Sequence, residues 1–528
     1  MSAVVRAIVK PNFYQDSVAL MRLAAEVKKL PGVQEAAAMM GTEANKAILA
    51  EAGLEAPEMR QAHPNDLILA VRAGDGAAAQ AGLAKAEELL LARQSNAAGT
   101  AAFRPRTLET AVKSLSGANL ALISVPGEYA EAEAGKALRL GLHVLLFSDN
   151  VPVEAERRLK DLAISRDLLM MGPDCGTALI GGVPLAFANV VPRGAIGIVS
   201  ASGTGLQQVS CLLANAGEGV SHGIGVGGRD LSDAIEGRMT LHALRALAAD
   251  RATEVLVLIS KPPSPSVAGK VIQVLEAAGK PGVVCFLGLT AANRPATSSH
   301  LTFADTLEDA ALAAVTLRRG QPFKPTPFSM DLEEAEVLAG SQAHRLRDQQ
   351  GAIRGIFAGG TLAHEAALIL EGLAGPVASN LKQEGLKPEA VEGHAVWDVG
   401  ADEFTRGRPH PMIDSTVRRE FLRREANDPS VGVILFDIVL GHGAHPDPAG
   451  DLLPGIEAAK SMGERRGRRL VFVASICGTS KDLQKLEDQA AKLEDAGVVL
   501  MPSNAQAARL AALVATRGAA MARLRAGC

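Results

Sequence analysis

Short apolar runs alternate with helix-length amphipathic stretches along almost the whole chain, a pattern that predicts α/β layering with largely parallel sheets. Residues 1–105 read as a first α/β unit with a linker. Val4–Lys10, Val33–Met40 and Asp66–Arg72 have strand character, Asp16 or Ser17 caps one helix and Thr42 another, and a long Ala/Leu/Glu helix runs to Arg93. Gln94–Pro105 is small, polar and proline-containing, as a linker or lid would be. Residues 106–192 alternate helices with the strands Leu120–Val125, His143–Ser148 and Leu168–Met171, the last running into MGPDCG. Residues 193–320 give GAIGIVSASGTG, a helix, a GIGVGG strand-turn, a helix, Val255–Ser260, a helix and Gly282–Leu287. The spaced prolines of QPFKPTPFSMD exclude helix and central strand at the start of 321–350, and a connecting helix begins near Leu332. Residues 351–528 resume the alternation.

Two of these stretches repeat one another. GIVSASGTGLQQVSCLL (197–213) matches GIFAGGTLAHEAALIL (355–370), and GVGGRDLSD (225–233) stands where DVGADEFTRGRPHPMID (398–414) stands. EVLVLIS (254–260) parallels VGVILFDIVLG (431–441), and KPGVVCFLG (280–288) parallels RRLVFVASICG (468–478). Order and spacing persist, so 193–320 and 351–528 read as two copies of one domain.

Composition narrows the picture. Aromatics are 3% of the 528 residues, so the cores must be built from Ala, Leu, Val and Ile. A net charge of −4, with no basic tail or aromatic-interleaved basic stripe, argues against nucleic acid as a partner. The N-terminal run lacks the form of a signal peptide, and no uncharged run has the length of a membrane span, so a cytoplasmic location without membrane attachment is expected. The five scattered cysteines lack CxxC spacing and read as reduced, buried thiols. No His/Cys cluster has ligand spacing, so no metal is expected.

The chemistry should lie in loops beyond the carboxyl ends of the strands. Ser200-Ala201-Ser202-Gly203-Thr204-Gly205 follows a strand and opens a helix, where free amides, the helix dipole and two hydroxyls suit an anion. Its counterpart is Ala358-Gly359-Gly360-Thr361. Gly441-His442-Gly443-Ala444-His445-Pro446 ends another strand and offers backbone donors with two imidazoles. Arg406-Gly407-Arg408-Pro409-His410 could grip a carboxylate or phosphate through Arg408. Arg229 is its pseudo-equivalent, either binding ligand or pairing with Asp230, and Lys261 faces the same cleft or solvent.

The stretch 120–290 resembles the α subunit of succinyl-CoA synthetase. MGPDCG is similar to that family's IGPNCPG, GAIGIVSASGTG to its GKVGIVSRSGT, GIGVGGRD to its GIGGD and KPGVVCFLGLTA to its KPVVGYIAGVTAP. Residues 425–445 resemble the ligase domain of the β subunit. With FYQDSV, MMGTEANKAIL, GEYA, FSDNV and GRPHPMID, the whole chain resembles the FdrA family. The resemblance implies a Rossmann-like domain and two flavodoxin-like, succinyl-CoA synthetase-like parallel-sheet domains after the N-terminal α/β unit. It also shows departures. The synthetase's phosphohistidine loop reads GLTAANRPATSSHL here, with His300 lacking flanking glycines. The glycine-rich CoA loop has no match before residue 107, and no ATP-grasp domain is visible.

Through the FdrA family, the resemblance implies a subunit of a hetero-oligomeric oxamate carbamoyltransferase of purine degradation. It would convert oxalurate and phosphate to oxamate and carbamoyl phosphate, with no covalently bound cofactor. Phosphate would sit at Ser202, Gly203 and Thr204. Gly441–Gly443 or Gly359–Gly360 would stabilise the oxyanion, His442, His445 or His410 would protonate the leaving nitrogen, and Arg408 or Arg229 would hold the carboxylate. Two alternatives stay open: an NDP-forming acyl-CoA synthetase subunit that borrows an ATP-grasp chain, and a non-catalytic scaffold of the same complex.

Overall fold

The computed structural model describes residues 3–13, 15, 17–96, 105–388, 391–406 and 408–526. Most of the expected linker, Asp16 and Cys528 lie outside these. Two compact units are present: residues 1–118 with 400–414, and residues 119–399 with 415–528.

In the first unit, β1 (Val4–Lys10) and β2 (Val33–Met40) each pair antiparallel with β3 (Leu67–Ala73), giving the order β1-β3-β2. The two faces follow from the period-2 alternation of β3. Leu67, Leu69 and Val71 meet Leu20, Leu23 and Val27 of α1 (Ser17–Lys28) and Leu83 and Leu90 of α3 (Gly76–Asn96). Ile68 and Ala70 meet Leu49 of α2 (Glu43–Glu51) and Met59 of a 3-10 turn. Helix α4 (Leu108–Ser114) follows, its start closed by a Thr107/Thr110 capping box.

The second unit opens with a small parallel sheet, β4-β5-β6 (Leu120–Ile123, His143–Leu146, Met170–Met171). Its crossovers are α5 (Gly127–Arg139) and α6 (Val153–Ser165). The hairpin β7 (Thr177–Ile180) and β8 (Val183–Ala186), drawn from the 106–192 stretch, joins the next sheet instead.

That next sheet contains β9 (Arg193–Ser200), β10 (Val220–Gly225), β11 (Val255–Ser260), β12 (Gly282–Phe286) and β13 (Leu301–Phe303), ordered β13-β12-β11-β9-β10-β7-β8. Its helices are α7 (Gly203–Asn215), α8 (Arg238–Ala249), α9 (Pro265–Ala277) and α10 (Leu307–Arg318). Helix α11 (Leu332–Ala343) connects to a six-stranded sheet ordered β15-β16-β14-β17-β18-β19. Those strands are β14 (Ala352–Phe357), β15 (Val377–Ser379), β16 (His394–Asp398), β17 (Val431–Val439), β18 (Val471–Cys477) and β19 (Val499–Met501). The helices are α12 (Gly360–Leu373), α14 (Thr416–Glu425), α15 (Pro448–Arg465), α16 (Leu486–Asp495), α17 (Asn504–Ala515) and α18 (Met521–Ala526), while the short α13 (Asp402–Thr405) is grouped with the first unit.

The sequence repeat is a repeat of topology. β10-β9-β11-β12-β13 and β16-β14-β17-β18-β19 are the same flavodoxin-like order, with the first strand of each copy central. The expected class of an α/β protein with several parallel-sheet domains therefore holds. Every residue of β11 and of β17 is buried, which is why both read as continuous apolar runs. Cys175, Cys211, Cys285 and Cys477 are free and buried.

Candidate functional site: two helix ends face to face

The helices that follow the first strand of each copy, α7 and α12, meet at their amino ends. The hydroxyls of Ser202 and Thr361 lie 2.5 Å apart, and the Thr361 amide donates to Thr204 Oγ1 at 3.4 Å. A Cβ on Gly359 would stand 3.0 Å from the Thr204 methyl group, so the small residue permits this approach. Each helix start carries roughly half a positive charge. Bringing two together is unfavourable unless negative charge is supplied, and the two ends obtain it differently.

At α12 the charge comes from the protein. Asp437, in the middle of β17, accepts from the Ala358 and Gly359 amides at 2.9 and 2.8 Å. Arg418 of α14 pairs with it at 3.0 Å. Burial pushes the Asp437 carboxyl up, against the pull of Arg418 and the two amides, and burial likewise lowers Arg418. Asp398 stands so close that a Cβ on Gly360 would be 2.6 Å from its Oδ2. The expected anion loop at Gly359, Gly360 and Thr361 is thus largely engaged by carboxylates and by Thr204.

At α7 no strand carboxylate intervenes. Ile198 pairs with Val257 and Ile356 with Phe436, so one register step further Leu258 stands where the other copy has Asp437. Ser202 caps the helix by accepting from the Gly205 amide at 2.9 Å, and Ser200 Oγ accepts from the Ser202 amide at 3.1 Å. Beside it lies a cleft of about 10 Å³ lined by Ser200, Ser202, Gly203, Thr177, Asp174 and Gly228, room for about one water-sized group. A Cβ on Gly225 would be 2.5 Å from the Thr177 carbonyl oxygen, so glycine there lets GIGVGG pack against the GPDCGT segment.

The other expected site residues fall elsewhere. Arg229 donates to Glu156 at 3.0 Å and to the Val151 carbonyl at 2.8 Å. It belongs to a network around the fully buried Lys160, which reaches Glu156 at 2.6 Å and Asp230 at 2.7 Å. Asp230 in turn accepts from the Thr240 amide and hydroxyl, capping α8. The guanidinium expected for substrate thus fastens α6 to the loop before α8.

The Gly441–His445 loop packs on Phe187 and Ala188, in the segment that leads into the first copy. The Gly441 amide donates to Gln484 and the His442 amide to the Ala188 carbonyl, so neither amide is left for an oxyanion. A Cβ on Gly443 would touch the Phe187 ring at 2.5 Å. His445 Nδ1 accepts from the Asp447 amide at 3.0 Å, which fixes it as a turn residue at the start of α15. His410 shapes a turn in the same way, accepting from the Met412 amide, and it and Arg408 are grouped with the first unit.

Lys261 is exposed. It neighbours His364, a residue not singled out in the sequence, whose ring burial and then the Lys261 charge hold below the ordinary histidine range. His364 is one turn into α12 and faces Gly288 at the end of β12. Its signal in the sequence was positional only: it replaces Gln207 of the first copy. His300 stands next to the first residue of β12, where its carbonyl accepts from the Gly282 amide. That is the amino edge of the sheet, opposite the edge from which α7 starts.

Two family descriptions match the chain: "AllF, heavy metal-associated domain" over residues 1–105, and "CoA-ligase" over residues 356–514. The uncharacterized protein YahF of Escherichia coli is 43% identical over 515 residues, covering 96% of this chain and 98% of YahF. The chain belongs to the YahF family. The α subunit of ADP-forming succinate–CoA ligase from Aquifex aeolicus is 30% identical over 164 residues, 29% of this chain and 51% of that subunit. The malate–CoA ligase α subunit of Methylorubrum extorquens is 26% identical over 246 residues, 44% of this chain and 80% of that subunit. The chain thus spans about half the length of the succinate–CoA ligase subunit it matches. These relatives correct the expectation of a carbamoyltransferase: the succinate– and malate–CoA ligase relatives are named as ligases.

The metal in the first description was tested against the donors present. Residues 1–105 contain no cysteine and a single histidine, His63. Soft metals select thiolates and thioethers; the segment offers no thiolate, and among the described residues no group of three or more His, Cys, Asp or Glu is placed to hold a metal ion. The loops around His63 are held by a carboxylate, with Asp66 accepting from the Asn12 and His63 amides at 2.9 and 2.8 Å. Among the described residues, no helix is long and apolar enough to cross a membrane.

Proposed function

We propose that this YahF-family chain is a subunit of an NDP-forming acyl-CoA ligase and takes the phosphoryl group of an acyl phosphate at the start of α7. The observation that carries the reading is the head-to-head meeting of α7 and α12, in which a strand carboxylate, Asp437, takes the α12 amides, whereas the α7 side has Leu258 at that register and Asp174 in the lining of its cleft. A dianionic phosphoryl group at α7 would supply the missing charge, held by amides around Gly203 and Thr204 and by the hydroxyls of Ser202 and Thr204. The names of the succinate– and malate–CoA ligase relatives favour the same chemistry. Lys261 and His364 would line the open side, with His364 neutral near pH 7 and so able to accept a proton. His442, His445, His410, Arg408 and Arg229 receive no chemical role in this reading. Nucleotide handling falls to a partner subunit of the ATP-grasp kind. The FdrA resemblance is retained as the finer family assignment, and a cytoplasmic location is favoured by the four free buried thiols.

The test is thermal shift of the purified chain with inorganic phosphate, acetyl phosphate, CoA and ATP. A ligand bound only by the folded state raises the midpoint by mass action. Phosphate or acetyl phosphate is expected to stabilise the wild type, and Ser202→Ala with Thr204→Val is expected to abolish the effect. Stabilisation that survives the double substitution would place the phosphoryl group elsewhere and sink the assignment.

A further inference from the structure

Helix α11 packs on α17 through Ala335, Ala339 and Ala343, one residue per turn. Its opposite face follows from 100° per residue: Glu333, Glu334, Val337, Gly340 and Ser341 point away from α17, and the exposed C-cap His344 and Arg345 of the next turn follow at its end. That face has an order along its length. Its first turn is acidic, its middle is Val337, Gly340 and Ser341, and its end is basic. Val337 is 72% exposed, among the most exposed large apolar side chains of the described residues. Nothing lies within 4 Å of a Cβ built on Gly340. Glycine is the least favourable residue of a helix interior after proline, and no crowding within the chain requires it here.

We infer that this face of α11 is the contact surface for a second copy of the chain, the two helices running antiparallel about a two-fold axis beside residue 339. The register follows from the sequence alone. Glu333 of one copy meets Arg345 of the other, Glu334 meets His344, and Val337 meets Ser341, each pair occurring twice. Such an isologous contact is self-complementary by construction. Gly340 lets the helix axes approach, and Val337 gains the cover it lacks. Acidic helix starts beside basic helix ends also suit both dipoles. A single helix pair is a small interface, so the association belongs to the weak, roughly micromolar class.

Analytical ultracentrifugation of the full chain tests this. A dimer is expected at low salt that loosens at roughly half-molar salt, because exposed pairs are screened. Glu333→Arg sets like charges together and is expected to weaken the dimer on the order of a hundredfold. Arg345→Glu is expected to do the same. A mixture of the two single variants restores attraction at both pairs and is expected to dimerise like the wild type, as is the double variant alone. Both positions are exposed, so an unchanged thermal midpoint is the control for folding. A chain that stays monomeric at roughly 100 μM in low salt overturns the inference. So does a dimer indifferent to Glu333→Arg, or failure of the mixture to associate.

Discussion

Glu365 offers the sharpest test of how the two copies are joined. Its carboxylate is enclosed between two helix starts: the Leu307 amide of α10 donates to it at 2.6 Å and Asn504 of α17 at 2.8 Å. Burial pushes its pKa from 4.5 up to about 7, against the lowering by Asn504, Leu307 and Arg509, while Glu308 adds to the rise. The folded state therefore holds the proton more tightly than the unfolded chain. Below pH 4.5 both states are protonated and the group costs nothing. Between 4.5 and 7 the unfolded chain releases its proton first, so stability falls by about 1.4 kcal/mol per pH unit. Above 7 the full penalty of about 3 kcal/mol applies, an order-of-magnitude figure for a wholly buried group. Glu365→Gln removes the charge at every pH. The amide oxygen keeps the Leu307 bond, but its NH2 faces the Asn504 donor, which costs about 1 kcal/mol. The variant should thus be more stable than wild type by about 2 kcal/mol near pH 8 and less stable by about 1 kcal/mol near pH 4.5. Asp309, also raised by burial, contributes to both proteins and cancels in the difference, whereas Glu308 is coupled to Glu365 and is relieved in part by the same substitution. The assay is hydrogen exchange of α10 and α17 amides across this pH range, corrected for intrinsic exchange, beside thermal midpoints. Parallel pH curves for variant and wild type would refute the argument.

Three further outcomes follow from the buried charges and the sheet edges. Asp437→Asn leaves Arg418 without its counter-charge and is expected to cost about 3–5 kcal/mol in a denaturant melt; a loss below about 1 kcal/mol would mean the pair is not ionised. Lys160→Met leaves Asp230 without its counter-charge in the core, and Glu156 with Arg229 alone, and is expected to cost a similar ~3–5 kcal/mol, read in the same melt. His300→Gln is expected to leave any thermal shift by phosphate or acetyl phosphate unchanged, because His300 is at the amino edge of its sheet; loss of the shift would contradict that placement.

The fold was legible because its signals are local and repeated. GIVSAS and GIFAGG announced two central strands, and the apolar runs Val255–Ser260 and Val431–Val439 marked their neighbours. The site was legible only in part. Ser202 and Thr204 stood out because hydroxyls and glycines after a strand have few other uses. Arg229 misled because its partner Glu156 is 73 positions away, on a helix whose polar residues look solvated in sequence. His442 and His445 misled because two imidazoles near a helix start resemble an acid–base pair, whereas Gly441 before them and Gly443 between them serve the close packing on Ala188 and Phe187. Asp437 did leave a signal. One carboxylate inside nine otherwise apolar strand residues must have a partner, since a buried charge without one is prohibitively costly.

In the proposed reading, that carboxylate explains why two copies of one domain would make one site rather than two. Had both copies carried an aspartate at this register, both helix ends would be neutralised and neither would need a ligand. Had neither carried one, two positive helix ends would repel each other across the Ser202–Thr361 contact, and the closed arrangement would depend on anion at all times. With Asp437 on one side and Leu258 on the other, the amides at the start of α12 are taken by a strand carboxylate that the α7 side lacks. In the proposed reading, the broken symmetry lets the two copies stay docked without ligand and would reserve one helix start for a phosphoryl group.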